Sequence, residues 1–241
     1  MIASRLTWWC SATGQPWSWT WRPYPGVWLF VALLGAWYAW AVRGTPRREL
    51  GWRPLWMLVS LVSVWAALDW PLGALGAGYL ASFHTISYIL LVIIAPPCLI
   101  LGLPTDAVRR GLERPLAGPV LRFAARPVLA LVIYSAIVLL THVPDVVDGG
   151  MRTQVGAMVI DLGWMVAGLF LWWPAMGPSP DVVRMSRPLK MVYLFASTLP
   201  PIIPSAFLTF ADYPLYSTYE LAPRIFPILT AQQDQQLAGL I

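Results

Sequence analysis

Apolar and polar positions alternate along this chain in long blocks, with no regular strand or surface-helix period. Runs of apolar residues are bounded by prolines, glycines and arginines. A helix needs roughly 20 apolar residues to cross the hydrocarbon of a bilayer. The pattern predicts six spans: about Val27 to Val42, Leu55 to Leu68, Tyr79 to Leu103, Pro127 to Thr141, Val155 to Trp173 and Leu189 to Phe210. Gly-rich PLGALGAG reads as the turn between spans two and three, and the stretch holding Asp148, Gly149, Gly150 and Arg152 as a short loop after span four. The terminal LAGLI reads as the first turn of a seventh span, truncated at Ile241. The predicted class is all-α, a polytopic membrane helix bundle with six spans visible and the start of a seventh. Residues 1–26 are predicted to form a Trp-rich extracytoplasmic N-terminal arm, and residues 27–241 the transmembrane helical domain.

The third span is the most unusual. It carries His84 near its start and the pair Pro96-Pro97 further along. An ionisable ring inside a span is costly unless it meets a cavity, a partner or a metal. The prolines donate no backbone hydrogen bond and are expected to loosen the helix there.

Composition removes the soluble alternatives. The chain is 58% hydrophobic and 11% charged, against roughly 25% charged in soluble domains. Basic residues outnumber acidic ones 16 to 11, and all but Lys190 are arginine. In a membrane protein that excess reports orientation rather than nucleic-acid binding. Arg43, Arg47, Arg48 and Arg53 lie between spans one and two. Arg109, Arg110, Arg114, Arg122 and Arg126 lie between three and four, and Arg184, Arg187 and Lys190 between five and six. The alternate loops hold only Arg152 and Arg224. The basic side is therefore expected in the cytoplasm and the N-terminus outside. The first 26 residues, broken by Trp8, Trp9, Trp17, Trp19, Trp21 and three prolines, contain no signal-peptide core. An interfacial arm is expected instead. Cys10 and Cys98 are far apart, one of them in a span, so no disulfide framework is expected.

That topology brings several polar side chains to the outer level: Asp69, His84 and His142 at span ends, and Asp161 roughly 9 Å inside span five. Tyr88 shares a helix face with His84, and Met158 and Met165 share one with Asp161. Imidazole and thioether suit copper, and a carboxylate suits harder ions. His84, His142, Asp161, Met158, Met165 and Tyr88 are thus candidate metal-site residues. The plainer readings are interhelical hydrogen bonds for His84 and Asp161, a helix-end role for His142 and ordinary packing for the methionines. Asp145 and Asp148 are expected to be solvated turn residues, and the arginines of the 104–126 segment topological anchors. Two histidines at similar depth could also ligate a haem. The sequence carries no nucleotide loop, zinc-protease motif or hydrolase set.

Several segments, taken in order, resemble a known family. His84 followed by YILLVIIAPPCLILGLP, Asp69-Trp70-Pro71-Leu72, Thr141-His142-Val143-Pro144, AGLFLWWP over 167–174 and AQQDQQLAGLI over 231–241 resemble the CtaG-type cytochrome c oxidase assembly proteins. The resemblance implies a seven-span protein of the bacterial plasma membrane that helps assemble cytochrome c oxidase, with copper delivery to the catalytic subunit. Partners would be oxidase subunits, a copper donor protein and membrane lipid, with no nucleic acid. It implies that His84 and His142 fill histidine positions of the family pattern. Tyr88 and Asp161 stand where the pattern has histidine. The expected role is binding and delivery, with a copper ion as ligand and no enzymatic activity. An ion- or metal-coupled transporter and a metal-free scaffold for oxidase subunits are the alternatives. The proline-broken spans and Asp161 suit the transporter, and the two missing histidines suit the scaffold.

Overall fold

The computed structural model describes residues 7–177 and 185–241, so Arg5 and Arg184 lie outside the described residues. Among the described residues all regular structure is helical. The longer helices are α1 (Pro25–Ala41), α2 (Arg53–Leu68), α3 (Leu72–Gly78), α4 (Ala81–Gly102), α5 (Thr105–Glu113) and α6 (Ala117–Ala124). They continue as α7 (Pro127–Thr141), α8 (Pro144–Met151), α9 (Gln154–Met176), α10 (Arg187–Phe210) and α11 (Ala231–Leu240). Five of these helices, α1, α2, α7, α8 and α10, carry a proline in their first two positions. Proline is favoured there because the missing N–H would have had no intrahelical partner.

Each of the six predicted runs falls on a helix. By length and apolarity, three helices can cross a membrane: α4, α9 and α10. The number rises to five if α2 with α3, bent by 44°, and α6 with α7, bent by 87°, each count as one span. The first run, α1, is a shorter apolar helix of 17 residues.

Several connections hold more structure than predicted. The Gly-rich turn is helix α3, and the loop around Asp145 and Asp148 is helix α8. The basic segment folds into α5 and α6. The polar stretch before LAGLI is already helical from Ala231, under a capping box in which Thr230 and Gln233 satisfy each other's backbone N–H. The glycines of α3 lower helix propensity but allow close packing. A Cβ at Gly76 would lie 2.9 Å from the His84 nitrogen, so α3 presses directly on the start of α4.

Helix α4 is the centre of the bundle. It packs on α2, α3, α9 and α11, and 56% of its apolar window is buried, against 17% for α10. That contrast makes α10 a peripheral helix whose apolar side chains face outward. The Pro96-Pro97 pair does not end α4. A π-helical turn, Leu90–Ile94, precedes it and the helix then continues to Gly102. Pro96 cannot donate to the Val92 carbonyl, which would otherwise be left as a buried orphan costing about 1–3 kcal/mol. The indole of Trp172 on α9 donates to that carbonyl at 3.0 Å. Gly168, one turn earlier on α9, lets the helices meet. A Cβ there would stand 2.5 Å from Pro96 Cγ and 2.6 Å from the Val92 oxygen.

The tryptophan-rich arm divides in two. Trp19 and Trp21 are exposed, whereas Trp9 and Cys10 are buried in the main core. Gln154 at the start of α9 accepts from the Trp8 and Trp9 amides at 2.7 and 3.2 Å, and the Ala12 amide donates to the Met151 carbonyl at 2.8 Å.

Candidate functional site

His84, one turn into α4, is buried. Tyr88 follows on the same helix face, as its spacing requires. His142, just past the end of α7, joins them through Trp164 of α9. The His84 and Trp164 ring centres are 4.7 Å apart, those of Tyr88 and Trp164 5.4 Å, and those of His142 and Trp164 6.0 Å. Tyr88 meets His142 edge-on at 5.1 Å. The structure therefore brings the two histidines and Tyr88 around one indole, whose N–H donates to Thr141 at 2.9 Å.

The ring nitrogens have definite roles. His142 Nδ1 lies 2.7 Å from the Val138 carbonyl. A carbonyl only accepts, so Nδ1 carries the proton and Nε2 keeps its lone pair. The His84 ring lies beside Gly76 in the wall of a small cavity, and its buried Nε2 has no partner among the described residues. The Tyr88 hydroxyl lies near Tyr134 but outside hydrogen-bonding geometry.

The cavity beside His84 is about 10 Å³, and its wall includes Cys10, Ser87, Met151 and Asp161. That is room for roughly one water or ion. The Cys10 thiol donates to the Leu68 carbonyl at 3.0 Å. Asp161 Oδ2 accepts from the Trp9 indole at 2.8 Å. Asp69 is held the same way by Trp28 at 2.8 Å, while its Oδ1 is buried without a partner among the described residues.

Neither Met158 nor Met165 lines this cavity. Met165 is in the core and Met158 packs half-buried against it. The thioether at the wall is that of Met151, from α8. Its contribution was hidden because that segment reads as a polar loop. Cys10, Trp9 and Trp164 also escaped sequence reasoning, since nothing local to them signals a site.

Further contacts cover the two histidines. The turn Ser217–Glu220 places Tyr219 against His84, with ring centres 5.7 Å apart, and its hydroxyl donates to the Gly76 carbonyl at 2.7 Å. Tyr216 donates to the His142 carbonyl at 3.0 Å. The turn is anchored by Asp148 of α8, which is not a free turn residue. It accepts from the Ser217 amide at 3.0 Å, the Ser217 hydroxyl at 2.7 Å and the Thr218 amide at 2.8 Å. Burial pushes the Asp148 carboxyl up, but these hydrogen bonds outweigh it and hold the carboxyl below its usual range. A carboxylate depressed in the folded state stabilises it above the unfolded pKa, about 3.9, and loses that contribution as pH falls through the folded value. The clamp should hold from neutrality down to about pH 4 and release below that. Asp148→Ala should release it at neutral pH, read as faster amide hydrogen exchange across 212–222. Unchanged exchange would show that the tyrosines are held without the clamp.

The donors near His84 are imidazole nitrogen, thiol and thioether, which suit a soft ion, and a carboxylate, which suits harder ones. Among the described residues, however, no group of three or more His, Cys, Asp or Glu side chains is placed to hold a metal ion. Any ion there would rest on fewer of these ligands, with Met151 sulfur among the rest.

Compared with known proteins, residues 36–241 match the family model described as cytochrome c oxidase caa3 assembly factor. No curated protein and no solved structure matches the chain.

Proposed function

From the premise that the chain belongs to the cytochrome c oxidase caa3 assembly factor family, we propose that it captures copper transiently for the oxidase. It would work as a multi-pass protein of the bacterial plasma membrane. Family membership points to assembly and association with the oxidase rather than to catalysis. In this reading copper is cargo. It is received from a donor protein and passed by ligand exchange to the catalytic subunit. In this reading the topology is six spans and a seventh beginning at α11, with the N-terminus and the His84 end outside, and the arginine alternation supports it.

The observation that carries the copper reading is the unpaired, buried Nε2 of His84 beside a cavity walled by Cys10, Met151 and Asp161. A buried nitrogen without a partner is costly unless something fills its valence. His142, whose ring lies 6.0 Å from the same Trp164 indole, would supply a second lone pair at Nε2. Purified protein should bind Cu(I) near stoichiometrically in competition with a Cu(I) chelator. His84→Ala combined with His142→Ala should abolish that binding. Undiminished binding by the double variant would eliminate the site.

A second reading, a metal-free scaffold for oxidase subunits, is favoured by a different observation. Asp161 is engaged by Trp9, and Tyr88 packs against Trp164 and His142. Both residues that stand at histidine positions of the family pattern thus serve packing. A deletion strain separates the readings. An assembled oxidase deficient in copper supports delivery, and loss of the subunit complex despite normal copper supply supports scaffolding.

A further inference from the structure

On the arginine-rich side of the bundle, the ends of α1, α4 and α9 and the helices α5 and α6 surround an open apolar cavity of about 850 Å³. Trp40, Leu99, Leu121, Phe170 and Trp173 are among its wall residues, and it shares none with the small cavity beside His84. Arg43, Arg110 and Arg114 also line it, and among the described residues no carboxylate does. Two of these guanidiniums are held in position. Arg110 Nη2 donates to the Ala41 carbonyl at 2.8 Å, and Arg114 lies over the Trp40 ring at 4.3 Å. A guanidinium has five N–H donors, so each keeps most of its fork for a ligand. Leu116, just before α6, and Val120 on α6 are 86% and 61% exposed, so the cavity opens along α6.

An open apolar cavity with cations and no anions among its described wall residues fits an amphiphile of one kind: apolar chains inside and a negative head at the guanidiniums. Arginine matches phosphate geometry through paired N–H donors. Basic pockets between helices on the cytoplasmic side bind anionic headgroups in this way. We propose that this cavity is a binding site for an anionic phospholipid, its acyl chains against Phe170 and Trp173 and its phosphate at Arg43, Arg110 and Arg114. Charge complementarity selects a lipid over a protein helix as occupant, since an apolar helix offers nothing to three unneutralised arginines.

The test is native mass spectrometry of the full chain in neutral detergent, titrated with phosphatidylglycerol or phosphatidylcholine. Phosphatidylglycerol should be retained preferentially, with each arginine contributing about fivefold. The triple variant R43Q/R110Q/R114Q should lose the preference, while R43K/R110K/R114K keeps most of it and controls for folding. Val120→Trp, which narrows the opening, should weaken binding of both lipids. Equal retention of the two lipids overturns the proposal. So does a preference that survives the glutamine variant, or Val120→Cys cross-linking to a second copy or an oxidase subunit in native membranes.

Discussion

Replacing Gly168 with valine is expected to split the centre of the bundle and give the largest loss of stability of any single change considered. The new Cβ would fall 2.5 Å from Pro96 Cγ and 2.6 Å from the Val92 oxygen. Neither neighbour can swing aside, because one is a proline ring within a helix and the other is backbone. Helices α4 and α9 must separate, at about 1–3 kcal/mol for overpacking. Separation also pulls Trp172 from the Val92 carbonyl, for about another 1–3 kcal/mol. Thermal unfolding in detergent should show a large drop in Tm and membranes should hold less protein. Gly168→Ala should give a smaller loss, since its single methyl demands the least movement. A valine variant with an unchanged Tm would mean that the helices do not meet as described.

The second large effect is expected from Asp234→Ala. Asp234 belongs to α11, yet it caps the start of α4, some 150 residues earlier in the chain. Its carboxyl accepts from the Ala81 amide at 2.6 Å, from the Ser82 amide at 3.4 Å and from the Ser82 hydroxyl. The first amides of a helix have no partner within it, and here they are buried. Alanine leaves those donors without an acceptor, at a cost of about 3 kcal/mol. The start of α4, which carries His84, should fray and α11 should loosen with it. Hydrogen exchange over 81–88 and 231–240 reports both. Asp234→Asn should recover part of the loss, because its amide offers one acceptor oxygen where the carboxyl offers two. If the alanine variant exchanges at the wild-type rate, the cap is not what holds these helices together.

Both predictions rest on contacts that no local pattern announces. The apolar LAGLI at 237–241 suggests only the beginning of another span. Asp234 and Gln235, just before it, read as part of a polar segment until the fold is known. In the structure Asp234 caps α4, and Gln235 accepts from the Leu215 amide at 2.5 Å while donating to the Leu208 and Tyr213 carbonyls. Asp148 differs in the same way. A lone aspartate near glycines looks like turn chemistry, and its partners, 69 and 70 residues later, cannot be inferred from spacing.

The sequence by itself determined where the helices run. Apolar length and the prolines that open helices are local properties, so each of the six predicted runs lies on a helix. Local spacing also put His84 and Tyr88 on one face, and the two do meet the same indole. Tertiary structure alone decided which side chains surround His84. Met158 and Met165 share a face with Asp161 by periodicity, but the carboxylate is taken by Trp9, 152 residues away. The cavity's sulfur comes from Cys10 and Met151. Helical period orders residues within one span, whereas contacts between spans depend on how the bundle closes. That closure is governed by approaches such as Gly76 on α4 and Gly168 on the Val92–Pro96 turn, whose effect exists only when both helices are in place.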